Sequence, residues 1–65
     1  MAHIHKEFVE SKMRESGIKS QSELAGRLGM DYRYLNKLLN GKAFTSTTLQ
    51  RLADQLGVRP GEIVA

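Results

Sequence analysis

Residues 20–41 read SQSELAGRLGMDYRYLNKLLNG, and the spacing within them decides the fold. Ser20 followed by Glu23 is a capping box. In it the serine oxygen takes a free backbone N–H of the first helical turn, and the glutamate reaches back to the serine N–H. Leu24, Ala25 and Leu28 then recur as the apolar stripe of a short helix. Gly29 ends it, as a residue able to take positive φ. Asp31 is a good N-cap for a second helix. Leu35, Leu38 and Leu39 face inward from that helix, and Gly41 stops it.

Only Gly29, Met30 and Asp31 separate the two helices. So short a turn sets them at a wide angle, about 90–120°, the geometry of a helix-turn-helix. Close crossing needs a small residue on the first helix, and Ala25 supplies it. Leu24, Leu28, Met30, Leu35 and Leu38 fall where the pair needs apolar contact.

The flanks continue the helical pattern. Ile4, Phe8, Val9 and Met13 recur at helical spacing and predict a helix from Ile4 to Ser16, with Gly17 as its stop. The Thr45–Thr48 run can cap a fourth helix. Leu49, Leu52, Ala53 and Leu56 supply its stripe, and Gly57 closes it. Pro60 opens a last helical turn carrying Ile63 and Val64. Strand signals are poor, because no alternating run persists. The reading is an all-α fold of five short helices in a single domain, residues 1–65.

A chain of 65 residues has room for one domain only. At this size a domain buries about 60% of the surface its unfolded chain exposes, so its core is small. Disulfides are excluded by the absence of cysteine. A metal site is not expected: the two histidines, His3 and His5, do not share a helix face. No cofactor is implied. No stretch approaches the ~20 apolar residues that cross a bilayer, and no apolar run follows Met1–Lys6 as in a secretory signal, so a cytoplasmic, membrane-free protein is expected. Nothing suggests an enzyme: there is no cysteine nucleophile, and Gly41-Lys42 lacks the glycine of a P-loop.

Net charge is +3, from ten Lys/Arg against seven Asp/Glu. Its placement says more than its size. Between Tyr32 and Ala53 lie Arg33, Lys37, Lys42 and Arg51, with no acid among them. One positive face is what a nucleic-acid binder needs, although a merely solvated face reads the same way. On the third helix Tyr32, Arg33, Asn36, Lys37 and Asn40 fall at i, i+1, i+4, i+5 and i+8, opposite the leucines. Arg and Lys can pair with guanine O6/N7, and Asn with adenine N6/N7. Tyr32 can donate a hydrogen bond or rest on a thymine methyl.

Three stretches, in order and with matching spacing, resemble phage Cro/CI-type (XRE-like) helix-turn-helix domains. Ser20-Gln21-Ser22-Glu23-Leu24-Ala25 through Leu28-Gly29-Met30 resembles their opening, and Leu38-Leu39-Asn40-Gly41-Lys42 the end of their recognition helix. Thr48-Leu49 through Leu52-Ala53, with Leu56-Gly57-Val58, resembles their fourth helix. The resemblance covers residues 9 to 64 and implies a compact five-helix lambda-repressor-like domain, with the helix-turn-helix at 20–40. By it, Tyr32, Arg33, Asn36 and Lys37 match base-reading positions in the major groove. Gln21, Asn40 and Lys42 match contacts to the DNA backbone. Tyr34, between the two faces, either packs on the core edge or reaches a phosphate. Leu39 stands where many members carry a Glu paired with an Arg of the first helix. The loop after the third helix lacks an arginine to probe the minor groove.

The implied function is a transcriptional regulator of double-stranded DNA. The kind expected is a repressor binding a pseudo-palindromic operator as a weak homodimer. Phe44, Ile63 and Val64 are the candidate dimer contacts, with core packing as the alternative for each. The competing reading is an antitoxin or interaction module, in which a protein partner such as a toxin matters most.

Overall fold

The structure is a computed structural model and describes residues 3–64. It contains α1 (Lys6–Glu15), α2 (Gln21–Leu28), α3 (Tyr32–Leu39), α4 (Ser46–Leu56) and α5 (Pro60–Ile63). α2 packs on α3 and α4, while α4 also packs on α1 and α5. The described body measures 30 × 21 × 19 Å.

The caps explain where each helix begins. Ser20 Oγ accepts the Glu23 N–H at 3.1 Å, and Thr45 Oγ1 accepts the Thr48 N–H at 3.1 Å. The reciprocal half of the expected capping box shifts by one residue. Glu23 Oε1 accepts from the Lys19 N–H at 3.3 Å rather than from Ser20, and its other oxygen pairs with Arg27 one turn on. α2 ends at Gly29, whose φ of 68° is the left-handed conformation that glycine adopts without a steric penalty.

α1 starts two residues later than the periodicity predicts. His5 is its N-cap, with Nδ1 accepting the Phe8 N–H at 3.2 Å. Ile4 is extended and forms an isolated antiparallel bridge with Val64, and the His5 N–H donates to the Ile63 carbonyl. Ile4 therefore joins the core from a clasp between the two ends of the chain, not from a helix face.

The core holds Ile4, Val9, Met13, Ile18, Leu24, Ala25, Leu28, Leu35, Leu38, Leu39, Leu52, Ala53, Leu56 and Ile63. Every inward residue named for α2 and α3 is in it except Met30, which packs half-buried against it. Leu39 lies in this apolar layer at 2% exposure. At that position a carboxylate would need a partner to offset its desolvation, and leucine needs none. Ile63 is fully buried, so its side chain is unavailable as a dimer contact; Phe44 and Val64 are half-buried. Among the described residues no buried side chain is polar, and none of the helices is long and apolar enough to cross a membrane. No group of three or more potential metal ligands occurs among them.

Candidate nucleic-acid interface

α3 turns its leucines to the core, which leaves its other face outward. The Asp31 carboxylate starts the helix by accepting the Arg33 N–H at 2.7 Å. Arg33 Nε lies 3.4 Å from the same oxygen. These contacts hold the Asp31 carboxyl below its ordinary value, first through the Arg33 backbone N–H and then through the Arg33 side chain. The Arg33 side chain is 85% exposed, so this pair is screened and easily exchanged for another partner. Tyr32 is the one large apolar side chain exposed among the described residues. Tyr32, Arg33, Asn36 and Lys37 line one open surface hollow, so the fold brings the four expected base-reading residues together.

The expected phosphate-contacting residues border this face through Asn36 and the end of α3. Gln21 is the first residue of α2, and its Oε1 accepts from Asn36 Nδ2 at 3.2 Å. Asn40 is the C-cap of α3. Its Nδ2 donates to the Asn36 carbonyl at 2.7 Å and lies 3.4 Å from Asn36 Oδ1. Lys42 Nζ stands 5.9 Å from the centre of the Tyr34 ring. Tyr34 itself packs half-buried against the core, with the Lys42 ammonium over its ring.

Two basic residues fall where the sequence pattern does not put them. Arg51 was one of the four cations in the acid-free stretch, but its guanidinium donates to the Leu28 carbonyl at the end of α2. The positive face is thereby narrowed to Arg33, Lys37 and Lys42. Lys6 joins it from the start of α1, donating to Asn40 Oδ1 at 3.3 Å. In sequence, Glu10 at i+4 looks like the natural partner of Lys6. Only the packing of α1 reveals Lys6 beside the end of α3, 34 positions away.

A family model described as helix-turn-helix matches residues 11–63. Neither the curated proteins nor the solved structures yield a match.

Proposed function

The chain belongs to the Cro/CI-type (XRE) helix-turn-helix family of DNA-binding domains, and from that premise we propose that it is a sequence-specific transcriptional repressor. α3 enters the major groove. Tyr32, Arg33 and Lys37 reach the base edges there from the face they share with Asn36, while Gln21, Asn40 and Lys42 meet phosphates on either side. Lys6 adds a cation to the Asn40 end. The observation that carries this reading is the shared hollow of Tyr32, Arg33, Asn36 and Lys37, in which every charged group is a cation.

Operator binding is by a pair of copies on two half-sites about one helical turn (~34 Å) apart. Phe44 and Val64 are the apolar residues left to contact the second copy. A patch that small makes a weak dimer, which DNA consolidates.

The test is selection from a random duplex pool at near-physiological salt, with sequencing of what the protein retains. A two-fold motif with half-sites one turn apart is the expected result. Retention without any motif overturns sequence-specific readout and directs the search to a protein partner.

A further inference from the structure

Lys6, Asn40, Asn36 and Gln21 form a chain of hydrogen bonds in which every link points the same way. Lys6 Nζ donates to Asn40 Oδ1, Asn40 Nδ2 donates to the Asn36 carbonyl beside Asn36 Oδ1, and Asn36 Nδ2 donates to Gln21 Oε1. The direction is dictated from one end. An ammonium has three donors and no acceptor, so Asn40 must offer its oxygen to Lys6 and its NH2 to Asn36. Reversing the Asn36 amide would set one NH2 against another. Asn36 therefore presents oxygen toward Asn40 and NH2 toward Gln21, which orients the Gln21 amide with its oxygen inward.

Both ends of the chain are left with donors. Among the described residues the Gln21 NH2 at the start of α2 has no partner, and Lys6 keeps two ammonium hydrogens beside the end of α3. Phosphate oxygens accept only, so these are the groups a DNA backbone can use. Each bond also polarises the next, which strengthens the terminal donors.

We propose that Asn36 is a positioning residue, the link that aims the Gln21 amide and the Lys6–Asn40 pair at two phosphates flanking α3, and that it does not read a base. The proposal deepens the DNA-binding reading and rests on it. A bidentate contact to adenine needs the amide's N–H and oxygen together on one edge, turned outward. Asn36 is half-buried, one of its N–H groups is engaged by Gln21 and its oxygen faces Asn40. Turning that edge to a base would compete with the link that orients Gln21. Sequence discrimination then belongs to Tyr32, Arg33 and Lys37.

The experiment compares Asn36→Ala, Gln21→Ala and the double variant on the selected duplex and on a set carrying each single base-pair change, with Arg33→Ala as the reference for a base reader. Alanine suits the α3 position, since it is the best helix former, and the thermal midpoint of each variant is measured alongside. The expected result for Asn36→Ala is an affinity loss of about five- to tenfold that is equal across the set, as for one lost charge-oriented hydrogen bond. Base preference stays as in the wild type, and the double variant is little worse than either single one because both remove the same link. Two results overturn the positioning role. One is relaxed preference at a single base pair under Asn36→Ala; the other is additive loss in the double variant. If the wild type shows no preferred duplex, the DNA reading itself falls, and the role of Asn36 falls with it.

Discussion

Arg51 of α4 donates a guanidinium N–H to the carbonyl of Leu28, the last residue of α2. The last carbonyls of a helix have no partner within it, and a cation there also meets the negative end of the helix dipole. Arg51 thus ties α4 to the point where α2 turns toward α3. Its guanidinium stands 3.8 Å from where a Cβ on Gly29 would project, so the turn and its clasp are in contact.

Arg51→Ala is expected to lower folding stability by about 1 kcal/mol, the value of a partly exposed hydrogen bond. In urea denaturation the midpoint should fall with an unchanged slope. Base preference should remain that of the wild type. A variant of unchanged stability with weaker DNA binding would make Arg51 a DNA contact instead of a clasp.

Arg33→Ala should cost about 1–3 kcal/mol of binding and relax preference at one base pair, as expected of a bidentate guanine contact. Among the described residues Arg33 is tethered only to Asp31, and its side chain is otherwise exposed, so stability should barely change. Equal weakening on all duplexes would move base reading away from this residue.

For Lys42→Ala the expected outcome is uniform weakening, with the slope of log affinity against log salt reduced by about one unit. Lys42 rests on the Tyr34 ring, outside the hollow of the base-reading face. Titrations at four or five salt concentrations check this, and an altered sequence preference would contradict a phosphate role.

Asp31 sets an acid limit on stability. Its carboxyl is held below the ordinary value by the Arg33 backbone N–H and then by the Arg33 side chain. A depressed folded-state value means that the charged form favours the fold. This contribution is complete above the unfolded value of about 3.9 and is lost as pH falls through the lower folded value. Asp31→Asn keeps a capping oxygen but cannot titrate. Its thermal midpoint should fall less than that of the wild type between about pH 4 and pH 2. Parallel acid limbs would assign the loss to other carboxylates.

Much of this molecule was legible as sequence because the signals are local. Helix stripes, the caps Ser20, Asp31 and Thr45, and the stop at Gly29 all act within four residues, and each is where the spacing put it. The outward face of α3 followed from the same periodicity, since leucines on one side leave Tyr32, Arg33, Asn36 and Lys37 on the other. The start of α1 was misread because Ile4 keeps helical spacing yet pairs with Val64 at the far end of the chain. The second half of the capping box went to Lys19 because two neighbouring N–H groups compete for one carboxylate.

Sequence by itself determined the five helices, the short turn between α2 and α3, the apolar layer and the polar face, for each depends on residues within one or two turns of one another. Tertiary structure alone decided the partners of long polar side chains and whether Ile63 stays open to a partner copy. Lys6 went to Asn40 and not to Glu10, Arg51 to Leu28 and not to the positive face, Asn36 to Gln21, and Ile63 to the core and not to a partner copy. The reason is reach. A lysine, arginine or glutamine head lies several ångströms from its own backbone, so it bonds with whatever the packing of other helices brings near.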